Sequence, residues 1–307
     1  MKKLALILSV ISCSPFVAVE ASKTSADRPN IVYIMADDLG YGDLGCYGQK
    51  LIQTPHIDLL AKRGMRFTDF YAGSTVCAPS RCVLMTGLHT GHCYIRGNSK
   101  DNLRPEDVTV AEVLKRGDYA TGQIGKWGLG HEGTTGLPTR QGFDFFYGYL
   151  DQHHAHLYYP TFLVKNESRV KLRNIVPDEG KWGEGVASKK IDFSPALMMK
   201  ETLGFIDAHK DERFFLYLSY TLPHANNEAT RKTGDGTAVP DHGIYKDKKW
   251  TKQNKGQAAM VTYLDQMVGQ VVKRLEAHGL SENTIIFFTS DNGPHSEGGN
   301  NVGFFDA

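Results

Sequence analysis

Cys77, Pro79 and Arg81 bring a thiol, an imide ring and a guanidinium close together in the stretch Thr75-Val76-Cys77-Ala78-Pro79-Ser80-Arg81. Proline is favoured in the first turn of a helix, where its missing N–H would be unpaired anyway. The spacing therefore predicts a loop ending at Cys77 and a helix starting around Pro79. A helix N-terminus stabilises anions through its free N–H groups and its dipole. Arg81, one turn along, faces the same side as Cys77 and can pair an oxyanion bidentately. Two further motifs carry oxygen donors: Asp37-Asp38-Leu39-Gly40 and Asp291-Asn292-Gly293. Adjacent carboxylates repel unless a cation joins them, and hard oxygen donors suit calcium or magnesium. Taken singly, each motif also reads as ordinary structure: a buried cysteine beside a surface arginine, or a turn closed by glycine.

The elements around these residues decide between the readings. Ile31 to Ala36 is a short apolar run rich in β-branched residues, which suits a buried parallel strand delivering Asp37 and Asp38 at its C-terminal end. Ligands in open α/β sheets bind at those strand ends. Thr284 to Ser290 reads as a second buried strand and delivers Asp291 and Asn292 in the same way. With no EF-hand pattern, the ligands of one cation site would have to converge from distant segments. Tyr119 to Ile124 is a strand leading into Gly125-Lys126-Trp127-Gly128-Leu129-Gly130-His131, where Lys126 presents a point charge. Arg213 to Tyr220 is another core strand, ending at Thr221-Leu222-Pro223-His224. Met65 to Tyr71 alternates and is expected as a strand. Helices are expected over His56 to Arg63, Thr109 to Arg116, Ser194 to about His209, and Gly256 to His278. The last carries Met260, Leu264, Met267, Val268, Val271 and Leu275 as a core stripe. Residues 165 to 192 read as a surface hairpin or irregular insertion, and 226 to 255 as a mobile loop over the site.

Composition sets the frame. The 307 residues carry a formal net charge of +1, with 41% hydrophobic and 22% charged residues, an ordinary globular balance. That near-neutral charge gives no electrostatic case for nucleic acid. Five cysteines form no C-x-x-C pair, so neither a zinc ribbon nor a thioredoxin-like site is indicated. Cys82 and Cys93 are either paired or simply buried. Lys2 and Lys3 precede an apolar run from Leu4 to Val10 and small residues beyond it, a targeting segment with a cleavage site after Val19-Glu20-Ala21. Val10-Ile11-Ser12-Cys13 alternatively resembles a bacterial lipobox. The expected layout is a signal peptide over 1–21 and one catalytic domain over 22–307, incomplete at its C-terminus, with an exported product: periplasmic, secreted or lipoprotein-anchored.

With these motifs together, the chain resembles the type I sulfatases over about residues 28 to 307. Cys77-Ala78-Pro79-Ser80-Arg81 fits their C-x-P-S-R signature and Thr86-Gly87 the segment that follows it. The resemblance implies an α/β fold of three layers, a largely parallel central sheet with helices on both faces, of the alkaline-phosphatase-like kind. It implies that Cys77 is oxidised to formylglycine by a formylglycine-generating maturase, and that its hydrate attacks sulfur. It further implies Asp37, Asp38, Asp291 and Asn292 as metal ligands beside residue 77, with calcium favoured over magnesium. Arg81 and Lys126 would then hold developing charge and His224 would contact the ester oxygen. One position departs from the pattern: the family's G-K-W-H-L-G histidine is Gly128 here. His154, His156 and His131 are the candidates for the acid/base or substrate role this leaves open.

The activity implied is hydrolysis of a sulfate monoester, on a sulfated carbohydrate in preference to an aryl sulfate. Two alternatives stand beside it: a phosphate or phosphonate ester hydrolase of the same superfamily, and an exported glycan-binding relative without chemistry. The family also continues past D-N-G to a further lysine and a C-terminal subdomain, which these residues do not contain.

Overall fold

The computed structural model describes residues 28–306. The leader-like segment and Cys13 lie outside the described residues. Seven strands form one sheet: β1 (Asn30–Ala36), β2 (Ala120–Lys126), β3 (Phe145–Tyr149), β4 (Phe162–Lys165), β5 (Ser168–Lys171), β6 (Phe214–Ser219) and β7 (Thr284–Ser290). Their order is β5-β4-β3-β2-β6-β1-β7. From β3 to β7 every pairing is parallel, and the β4–β5 hairpin extends the sheet antiparallel.

Alternation along the central strands sorts their side chains onto two faces. Val32, Ile34, Leu216 and Leu218 point into one core, packed by helices α1 (Pro55–Arg63), α4 (Ser194–Ala208) and α6 (Lys252–Ala277). Met35, Phe215 and Tyr217 point into the other, covered by α2 (Cys77–Thr86) and α3 (Val110–Arg116). The expected three-layer α/β architecture is therefore present.

Local signals explain the helix ends. Thr109 and Glu112 close a reciprocal capping box on α3, and the Thr251 hydroxyl accepts from Asn254 N–H to start α6 four residues before Gly256. Gly87, in left-handed conformation (φ 68°), ends α2 by donating to the Val83 carbonyl.

Three expectations change. Met65 to Tyr71 forms no strand; Met65 and Tyr71 are 79% and 84% exposed, and no described strand pairs with the segment. Alternation shows which face a strand would bury, but it does not supply the partner that a strand needs. β7 is an edge strand rather than a buried one, with β1 as its single described neighbour and Ile285 and Phe287 half-exposed. The 226–255 stretch also carries order: α5 (Asn227–Thr233) begins where the Asn226 side chain accepts from Ala229 N–H.

Candidate active site

The site lies along the C-terminal ends of four adjacent parallel strands, β2-β6-β1-β7. Ala36 and Ser290 are in register, so Asp37 and Asp291 leave β1 and β7 side by side, tied by a 3.1 Å bond from Asp291 N–H to the Ala36 carbonyl. Lys126 is the last residue of β2, and His224 follows β6. Helix α2 starts at Cys77, two residues before the proline, and Pro79 still falls in the first turn, where no intrahelical N–H bond is lost.

Every cation and anion here is buried, and their pairings are specific. Arg81 Nε and Nη2 donate to one Asp291 oxygen at 3.1 and 2.8 Å, Nη2 lies 3.3 Å from Asp37, and Nη1 donates to the Lys126 carbonyl at 2.8 Å. Lys126 Nζ donates to both Asp37 oxygens, at 2.8 and 3.2 Å. Burial alone would lower the Lys126 pKa, but the Asp37 charge outweighs it and keeps the ammonium protonated. The Cys77 thiol donates to Asp37 at 3.5 Å. Burial and the surrounding carboxylates push its pKa well above the usual thiol value, against the pull of Lys126. Unmodified Cys77 is thus a neutral thiol, poorly suited to act as a thiolate nucleophile.

The oxygen donors converge as a cation site requires. Asp38 adopts a left-handed backbone (φ 61°) that turns its carboxylate back towards Asp37 and Cys77. One atom from each of Asp37, Asp38, Cys77 and His224 lies within 4.8 Å of the others. Burial and the Asp37 charge push the Asp291 carboxyl well above the normal range, although Arg81 opposes the shift. Asn292 Oδ1 is buried without a partner. Carboxylates crowded to the point of mutual repulsion, plus an orphaned amide oxygen, fit a hard divalent cation such as calcium or magnesium. His224 Nδ1 lies 2.7 Å from the Ala225 carbonyl, and its Nε2 lies 3.2 Å from Asp38 Oδ2. Burial, with Lys126 adding to it, lowers the His224 pKa to about 3 and keeps the ring neutral.

A cavity of about 680 Å³ opens above these residues, lined by Cys77, Lys126, His224 and Asp38. His131 and His156 line it; His154 does not, because its ring packs against Tyr149 and Phe162. Gly128 has φ 75°, and a Cβ there would lie 2.0 Å from Gln152 Nε2. The side chain of Gln152 fills the place that a residue larger than glycine would need.

His295 was not anticipated. It meets Asp38 through Nε2 and borders the cavity. Its signal in the sequence is its position three residues after Asn292, directly following Pro294. Asn98 was missed as well; its side chain accepts from Ala78 N–H at 2.9 Å and steadies the start of α2.

Burial lowers the His154 pKa to about 3, against the usual 6.5. A depressed folded value means the unfolded chain binds the extra proton first. The associated stability is complete above about pH 6.5 and is lost as the pH falls towards 3. Urea unfolding across that window should show an acid slope of up to about 1.4 kcal/mol per pH unit from this ring. His154→Phe, which keeps an aromatic in the packed site, is expected to flatten it; an unchanged slope would contradict the assignment.

Comparison with known proteins agrees with this geometry. A family model described as Sulfatase matches residues 29–304. The chain is 32% identical over 329 residues to the N-acetylgalactosamine-6-O-sulfatase of Bacteroides thetaiotaomicron, covering 88% of this chain and 60% of that protein. It is 34% identical over 310 residues to human arylsulfatase A, covering 92% of this chain and 55% of that protein. The crystal structure of Ps i-CgsB in complex with k-i-k-neocarrahexaose superimposes with a TM-score of 0.71 at 30% identity, over 89% of this chain and 60% of that one. The chain thus spans little more than half the length of these proteins.

Proposed function

The chain belongs to the sulfatase family, and from that membership we propose that the complete protein hydrolyses a sulfate monoester, with a sulfated glycan as its substrate class. The observation that carries this reading is the convergence on residue 77 of two buried cations and three strand-end carboxylates. A sulfate ester is a tetrahedral anion that gains charge on its leaving oxygen during cleavage. Fixed, dry positive charge is what stabilises such a change.

Conversion of Cys77 to formylglycine by a maturase would supply an oxygen nucleophile at the helix N-terminus, in place of a thiol that burial keeps neutral. Asp37, Asp38, Asp291 and Asn292 would hold a calcium ion, favoured over magnesium by the carboxylate-rich donor set, and the ion would polarise the sulfate oxygens.

The chain's own groups have separable tasks. Arg81 and Lys126, fully buried and already oriented by Asp37 and Asp291, balance charge without reorganising. His224 lines the cavity beside Asp38, where it would contact the ester oxygen. The names of the relatives favour sugars as the sulfated partner, and the leader-like segment over 1–21 favours export.

Phenyl sulfate and phenyl phosphate separate this reading from its superfamily rival. The complete protein, matured by co-expression with a formylglycine-generating enzyme, should release sulfate at least about a hundredfold faster than phosphate, a margin of about 2.7 kcal/mol. The reverse preference would assign the site to phosphate or phosphonate esters instead.

A further inference from the structure

Unpaired buried polar atoms collect on one wall of the cavity. Gln152 Oε1 and Asn227 Oδ1 are buried without a hydrogen-bond partner, and both residues line the cavity. Buried polar groups are nearly always satisfied in native proteins, so such a cluster at a cavity implies a ligand or ordered water that completes it.

The wall has a consistent polarity. Gln152 donates Nε2–H to the Gly128 carbonyl at 3.3 Å, which leaves Oε1 as a free acceptor. His156 is 9% exposed; its Nδ1 faces Glu228 Oε2 at 3.4 Å. The Glu228 carboxylate thus holds the ring from behind. The ring is held flat against His224, with centroids 4.7 Å apart and planes 13° from parallel. Asn227, the first residue of α5, lines the same cavity and brings the second acceptor.

The floor and the wall therefore have opposite character. The floor holds the buried cation Lys126, suited to sulfate oxygens, which only accept. The wall presents acceptors, which sulfate oxygens cannot satisfy and which hydroxyl or amide N–H groups can. Gly128 is part of the same device, since a Cβ at that position would force the Gln152 amide to move.

We propose that Gln152 and Asn227 form a specificity wall that accepts hydrogen bonds from hydroxyl or amide donors on the leaving group. The enzyme thereby selects sulfate esters of polyhydroxylated sugars over aryl sulfates. The inference rests on the sulfatase reading of the site.

The test uses the complete, matured protein with sulfated galactose, N-acetylgalactosamine and glucosamine as sugar probes and nitrophenyl sulfate as the aryl probe. The wild type should prefer at least one sugar ester. Asn227→Leu should lower the ratio of kcat/KM for that sugar over nitrophenyl sulfate about tenfold, the value of one lost hydrogen bond. Asn227→Asp, which keeps the acceptor, should restore most of the ratio, an effect a purely structural role for α5 would not produce. A wild type faster on nitrophenyl sulfate than on every sugar, or a ratio unmoved by Asn227→Leu, overturns the proposal. If no sulfate is released from either class, the sulfatase reading fails, and the wall is then read by calorimetry. Binding of the sulfated sugars to Cys77→Ala should weaken about tenfold when Asn227→Leu is added, and equal affinity overturns the wall.

Discussion

Replacing Cys77 by alanine is expected to reduce sulfate release by at least about ten-thousand-fold, the scale of losing a covalent nucleophile. The substitution removes one 3.5 Å contact from a weak donor to Asp37, and α2 keeps its backbone bond from Ser80 N–H to the Val76 carbonyl. Alanine also has high helix propensity. Unfolding free energy should accordingly change by less than about 1 kcal/mol. Loss of activity with an unchanged thermal midpoint assigns residue 77 to chemistry. Retained turnover would mean that some other group attacks the ester.

The second large effect concerns Arg81, where structure and catalysis cannot be separated. Arg81→Met leaves a side chain of similar reach but removes the only guanidinium that joins Asp291, Asp37 and the Lys126 carbonyl. Removing one partner from a buried ionic network strands the others, at about 3–5 kcal/mol. Asp291 is already pushed above the normal carboxylate range by burial and by Asp37, so losing Arg81 drives it further towards the protonated form. A protonated Asp291 binds a cation poorly. Urea unfolding should show the stability loss, and kcat should fall by about a hundred- to a thousandfold. Arg81→Lys keeps the charge without the fork and should recover part of the stability but little of the rate. Full activity in Arg81→Met would remove the guanidinium from the anion site.

The outcome at these two residues follows from features readable in the sequence. Short apolar runs ending in Asp37-Asp38 and in Asp291-Asn292 gave adjacent parallel strands and placed both residue pairs at neighbouring C-terminal strand ends. The cysteine-to-arginine spacing gave one helical face. Pairing partners were harder to read, since they depend on segments far apart in the chain. The alternation of Met65 to Tyr71 resembled a strand although no neighbour pairs with it, and the apolar content of β7 concealed its place at the edge.

Gly128 shows the same limit at the site. Its departure from the histidine of the family pattern was visible, but the occupant of the space was not. The Gly128–Gln152 and His156–Glu228 contacts join residues 24 and 72 positions apart along the chain, as counted from 128 to 152 and from 156 to 228. His154 and His156, two residues apart, looked equivalent as acid/base candidates. The short 3-10 turn at His154–His156 sends one ring into the core against Phe162 and the other into the cavity against His224.

The central claim is that residue 77 is the matured nucleophile of a sulfate-ester hydrolase. The most direct measurement is the mass of the tryptic peptide from Phe67 to Arg81, taken from protein co-expressed with a formylglycine-generating enzyme. The account predicts an aldehyde in place of the Cys77 thiol. An intact thiol, under conditions where the same maturase converts a known sulfatase, would contradict it.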